Sequence, residues 1–261
     1  MLLRKKLTPV AIATTLAISG LAAPTVANAE LSGNIGVHSK YLLRGIFDEN
    51  ENTAVQGGFD WSHDSGFYLG YWGSNLGYTY QADPAATPLT SAVGFENDFY
   101  GGFAGGGDTI GYDIGLIQYY YLNVDDSDLT ELTASMSIAD GYIGLQYLLT
   151  DGWWGNSGDI YWKAGYAFGL PSDFGLAFDL GYYTYSDDDN SKLGGNNTGA
   201  DCTGCVTTST SGFRHLNVTL SHAVGATGAD MYLQYTIAGE DRTALEYDDS
   251  IVLGLTYGFD I

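Results

Sequence analysis

The sequence predicts an all-β protein: a transmembrane, antiparallel, up-and-down β-barrel of about twelve strands. Three observations predict it. Runs of about ten residues, the length a tilted membrane-crossing strand needs, alternate apolar with polar or small side chains along most of the chain. The connections between these runs fall alternately into a short and a long class. The composition sets 21 Tyr and 37 Gly against only 9 Lys plus Arg and 5 Pro. Small residues suit a barrel lumen, Tyr and Trp the membrane interfaces, and Asp and Asn the outer loops.

Residues 1–29 read as a secretory signal. Arg4, Lys5 and Lys6 form a basic start, 10–23 is mostly apolar, and Ala27-Asn28-Ala29 is the small-x-small pattern that a signal peptidase cuts after. The barrel is then expected over 30–261. Removing three cations takes the formal charge from −22 to about −25. That excess excludes nucleic acid, whose binders need a basic patch. With 45% hydrophobic and 14% aromatic residues, the charge does not signal disorder.

The strands are expected near 33–45, 53–63, 66–76, 91–103, 109–121, 129–138, 141–149, 158–168, 173–185, 211–223, 229–238 and 250–260. Side chains alternate faces along a strand. Ile35, Val37, Tyr41 and Leu43 share one parity in the first run, and Val55, Phe59 and Trp61 do so in the second. The third is ambiguous, with aromatics on both parities. Later runs are cleaner: Phe174, Leu176, Phe178, Leu180 and Tyr182 oppose Gly175, Ala177, Asp179 and Gly181.

The short connections are 63–66, 104–108, 139–141, 169–173 and 224–229. The longer ones, mostly acidic, are 46–52, 77–90, 122–128, 150–157, 186–211 and 239–249. Short periplasmic turns and longer outer loops are the pattern of an outer-membrane barrel. Closure leaves no unpaired strand edge in hydrocarbon, and lipid then takes the place of a sizeable internal core. Gly254, Tyr257 and Phe259 in the last strand resemble the terminal signal read by the barrel-assembly machinery, with Ile261 rather than Phe as the final residue.

Residues 38–75 carry a set of motifs: Tyr41, Arg44 and Gly45; Gln56 to Asp60; His63, Ser65 and Gly66; and Tyr68, Gly70, Trp72, Ser74 and Asn75. In order and spacing this stretch resembles the TorF family, bacterial proteins assigned as outer-membrane porins. Lys40, where that family tends to have an acid, and Phe47 and Asp48 depart from it. The resemblance implies an outer-membrane barrel passing small solutes.

Parity opposite to the apolar sets points His38, Lys40, Arg44, Gln56, Asp60 and Glu96 into the lumen. It points Asp98, Asp113, Glu131, Gln146, Lys163, Asp179, His215 and Gln234 there too. An ordinary hairpin after the first strand would set Lys40 and Arg44 beside Gln56 and Asp60. A cationic row facing an acidic one across a narrow lumen would make a transverse field for small ions. Permanent pairing of those charges would instead plug the interior. Twelve strands lie between barrels filled by side chains and those that hold open water.

Acidic clusters at Asp48, Glu49 and Glu51, at Asp125, Asp126 and Asp128, at Asp187 to Asp189, and at 240–249 suggest a solvated rim. Such a rim would meet lipopolysaccharide through divalent cations and concentrate cations at the mouth. The 187–191 run lacks the Gly that an EF-hand loop requires, and neither a metal site nor a cofactor is assigned. Cys202 and Cys205 in the longest loop are expected to form a disulfide after export. Trp153, Trp154, Tyr78, Tyr80 and the run 119–121 are expected in an interfacial aromatic girdle. Gly-x-Ser-x-Gly, His-Glu-x-x-His and phosphate-loop motifs are all lacking. The expected function is passive diffusion of ions and small polar solutes. A non-conducting structural or adhesive barrel is the alternative, and an outer-membrane hydrolase is a more distant one.

Overall fold

A computed structural model describes residues 30–45, 47–81, 93–107, 109–186, 193 and 207–261, at 47 and 48 the backbone alone. The signal segment 1–29, Asp187 to Asp189, and Cys202 and Cys205 lie outside the described residues.

Twelve strands close into one antiparallel barrel. In order around the wall they are β1 (Glu30–His38), β4 (Ala54–Ser62), β5 (Phe67–Asn75), β6 (Phe95–Gly106), β7 (Ile110–Leu122) and β8 (Leu129–Ile138). The ring continues with β9 (Gly141–Leu148), β10 (Ile160–Gly169), β11 (Phe174–Thr184), β12 (Ser211–Ala223), β13 (Ala229–Ala238) and β14 (Ser250–Asp260). β1 pairs with β14 from Ser32↔Asp260 to His38↔Gly254, so no strand edge is left open. Every longer connection leaves from one end of the barrel and every short turn from the other.

The outer face is apolar. Ile35, Val55, Phe59, Phe67, Leu69, Ile114, Leu233 and Leu253 are all exposed, several by more than half. β7 alternates without a break: Ile114, Leu116 and Tyr120 point out, while Asp113, Ile117, Tyr119 and Tyr121 are buried inside. The ambiguous β5 resolves with Phe67 and Leu69 outward and Tyr68 and Trp72 inward.

The first strand is shorter than its alternation predicts. β1 stops at His38, and 41–50 leaves the wall as a separate hairpin of β2 (Tyr41–Leu43) and β3 (Phe47–Asn50) that folds into the lumen. Tyr41, Leu42 and Leu43 are all buried there. Since consecutive side chains point to opposite faces of a strand, burial of all three means that the hairpin is covered on both faces. Its turn holds Arg44 at φ 48° and Gly45 at φ 77°. Only Gly suits the second place, because a Cβ on Gly45 would also run into the His215 ring.

The hairpin seeds a core inside the barrel, contrary to the expectation that lipid makes one unnecessary. Tyr41, Leu76, Ile117, Tyr119, Tyr121, Val124, Leu129 and Leu148 pack together at the long-loop end. Trp72, Tyr78, Tyr80, Trp153 and Trp154 lie against them. The girdle assignment fails for the same reason. Trp153 lies tilted against Tyr80 at 5.0 Å and meets Tyr78 edge-on at 5.5 Å, and Trp154 meets Tyr119 edge-on at 5.2 Å. These aromatics pack inside the barrel, and of the 119–121 run only Tyr120 faces outward.

The many glycines have a packing role in the wall. Tyr100 of β6 lies across Gly70 of β5 and donates to Asp60 of β4. Tyr142 of β9 lies across Gly165 of β10 and donates to Asp179 of β11 at 2.8 Å. Tyr232 of β13 lies across Gly254 of β14 to meet His38 of β1 at 2.8 Å. In each case the three residues share one rung of the sheet. A missing side chain on the middle strand gives a ring room to lie flat and stitch together strands two apart.

Candidate functional site: the lumen and its inserted hairpin

Of the residues predicted to face the lumen, Lys40 does not lie on a barrel strand; it precedes β2 and is partly exposed. Arg44 also leaves the wall, at the hairpin tip. Neither stands beside Gln56 or Asp60, because β1 sets Gly36 against Gln56 and Ser32 against Asp60. The expected pairing assumed that β1 ran on to residue 45. The others, His38, Gln56, Asp60, Glu96, Asp98, Asp113, Glu131, Lys163, Asp179 and His215, are interior-facing wall residues, as are Gln146 and Gln234.

Arg44 crosses the lumen to the far wall. Its Nη2 lies 2.7 and 2.6 Å from the two oxygens of Glu131 on β8, and its Nη1 donates to the Tyr183 hydroxyl on β11. The guanidinium carbon stands 4.6 Å from the Tyr161 ring centre, 5.1 Å from that of Trp154 and 5.5 Å from that of Tyr183. Tyr119 and Gln146 also donate to Glu131, at 2.9 and 3.1 Å. The Arg44 and Glu131 side chains are 7% and 1% exposed, so the pair is shielded from water on both sides.

Of the interior charges, Glu96, Asp98, Asp113 and Glu131 stand on β6–β8, Lys163, Arg214 and His215 on β10 and β12, and Asp179 on β11 between those two. Glu96 accepts from the Tyr121 hydroxyl at 2.9 Å, while neither carboxylate oxygen of the buried Asp98 has a hydrogen-bond partner among the described residues. Lys163 lies over Gly144, its Cε 3.2 Å from where a Cβ would sit there. His215 reaches the Tyr161 hydroxyl at 2.8 Å.

Arg214 escaped the sequence reading. The register between β11 and β12 shifts so that Gly181 faces His215 and Tyr182 faces Phe213. The extra residue is Arg214, and this bulge turns both Arg214 and His215 inward, each 3% exposed. Strict alternation forbids two neighbours on one face, so parity could assign only one of them. Arg214 Nε donates to the Arg44 carbonyl at 3.3 Å and its guanidinium lies 5.1 Å from the Tyr183 ring centre.

The acidic rim is also less solvated than expected. Glu49 is buried on β3 and accepts from the Tyr78 hydroxyl at 2.6 Å. Burial pushes its carboxyl up to about 7, against the pull of that hydrogen bond. Asp241 organises its own loop, accepting from Thr243 and Leu245, and the neighbouring Arg242 forms a buried ion pair with Asp159 before β10. The interior closes off toward the long-loop end, where Glu96, Asp98 and Glu131 are shut from solvent. Toward the short-turn end, Asp60, Tyr68, Tyr100, Lys163 and Asp179 keep partial exposure.

An apolar outer belt, a closed edge-free wall and a polar interior define a porin-like β-barrel fold. The chain belongs to the family described as "Bacterial protein of unknown function (Gcw_chp)", which matches residues 22–192. No curated protein matches the sequence. Among solved structures it is similar to the KdgM porin, at 9% identity and a TM-score of 0.52 over 87% of this chain and 99% of that one. It is also similar to the COG4313 outer membrane channel from Pseudomonas putida F1, at 10% identity and a TM-score of 0.51 over 94% and 100%. At such identities the likeness is one of fold. Both of these neighbours are channels.

Proposed function

We propose that the protein is an outer-membrane channel for passive diffusion of ions and small polar solutes, restricted by its own inserted hairpin. The observation that carries this reading is the inside-out distribution of side chains: exposed apolar residues around the wall and charged ones within. The TorF-like residues of 41–75 support it, since Tyr41, Arg44 and Gly45 build the hairpin and Trp72 packs edge-on against Tyr41 at 5.7 Å. On this reading the long loops face outward, toward lipopolysaccharide, and the short turns face the periplasm. The acidic charge draws cations to the mouth. Cys202 and Cys205 pair after export, and the barrel-assembly machinery reads β14.

The core inside the long-loop end favours a second reading, a structural or adhesive barrel with no through-path. Planar-bilayer recording separates the two. A channel gives discrete current steps that grow when the hairpin is shortened across residues 40–52. Folded protein that stays silent both intact and shortened supports the non-conducting barrel.

A further inference from the structure

Arg44 fills a box whose walls stand without it. Glu131 is held by Tyr119 and Gln146, both on the barrel wall. The rings of Tyr161 and Tyr183 stand on β10 and β11, and Trp154 comes from the loop before β10. A carboxylate beside several π faces is the chemistry that recognises a delocalised organic cation. Here that cation arrives on a tether, at the tip of a two-stranded hairpin and on a residue held at φ 48°.

We propose that this box is the solute-binding site of the lumen, taking small organic monocations that bear a guanidinium or amidinium group, and that Arg44 occupies it as a built-in competitor. The inference rests on the channel reading above and names the solute class. A solute that enters the box takes the ion pair away from Arg44. It thereby loosens the hairpin that fills this half of the lumen, so the cation that fits also opens the path. Glu131, the carboxylate that faces these rings, gives the box its preference for a cation, while Arg214 stands behind it 5.1 Å from the Tyr183 ring centre.

Methylguanidinium is the probe. In planar bilayers, Arg44→Ala protein is expected to show larger steps than the wild type, interrupted by brief blocks as millimolar methylguanidinium is added. Sodium at equal ionic strength should give no such blocks, and adding Glu131→Gln should make them about tenfold weaker. In the wild type the same probe should raise the frequency of opening. Blocks that are identical for methylguanidinium and sodium in conducting Arg44→Ala protein would overturn the assignment. If that variant does not fold, as read by heat-modifiable gel migration, an unchanged wild-type opening frequency overturns it instead. If no form conducts, the channel reading fails, and the site is judged by tryptophan fluorescence in detergent. Saturable quenching of Arg44→Ala that Trp154→Phe removes keeps the site, and a flat response rejects it.

Discussion

Arg44 and Glu131 lie 87 residues apart in sequence, yet one guanidinium nitrogen sits within 2.7 Å of both carboxylate oxygens across the width of the barrel. Removing one partner strands the other as a buried charge, which costs about 3–5 kcal/mol. Arg44→Met and Glu131→Met are therefore each expected to lower the denaturant midpoint. Arg44→Met with Glu131→Met should recover much of the loss. Urea titrations of the two single variants and the double variant, read as a double-mutant cycle, check this. Additive losses would mean that the pair is not coupled.

Glu49 makes the hairpin sensitive to pH. Docking raises its carboxyl from the ordinary carboxylate range to about 7, so the docked state holds the proton more tightly than the undocked one. Docking is therefore favoured as pH falls through 7, is fully favoured below the ordinary value, and loses that help above 7. Glu96 and Asp98 interact electrostatically with it from the wall behind. On the channel reading, conductance should fall between pH 8 and pH 5. Glu49→Gln should weaken that dependence and lower the conductance at pH 8. A current that rises on acidification would contradict the sign.

The glycine rungs predict a position-specific cost. A Cβ at Gly165 would displace Tyr142 from Asp179, whereas nothing stands within 4 Å of a Cβ at Gly258. Gly165→Ala is expected to destabilise the barrel by about 1–3 kcal/mol, as overpacking typically does, and Gly258→Ala to leave it unchanged. Equilibrium unfolding of both variants in lipid vesicles measures the difference.

Arg242 ties the loop between β13 and β14 to the segment before β10 through Asp159, and donates as well to Thr207 at 2.9 Å. Arg242→Ala should release this tie. Limited proteolysis should then cut within 239–249 at protease concentrations that leave the wild type intact, with the barrel fragment resistant in both.

The barrel was legible in the sequence because its two signals are local: period-two alternation and the sorting of connections by length. β8, β12, β13 and β14 fall close to the expected spans for that reason. The hairpin was not legible. Tyr41 and Leu43 keep the parity of Ile35 and Val37, so periodicity alone continues β1 through them, and what ends the strand is a core formed with residues far along the chain. Burial of both parities at 41–43 is a tertiary fact. Arg214 was hidden by a bulge, and Trp153 and Trp154 by the dual habit of aromatics, which suit a membrane interface and a packed interior equally. The motif at 41–45 held the clue: an Arg-Gly pair inside an apolar run is a turn signal as much as a strand.

The hairpin hangs between the first two wall strands, yet the groups that receive it, Glu131, Tyr183 and His215, belong to strands made later. It leaves the wall at one open mouth, so its seat can be reached through that mouth only once β8, β11 and β12 stand in place to receive it. Seating the hairpin is thus the last contact the ring makes possible. A closed ring with this segment still outside would be a different, emptier product built from the same polypeptide.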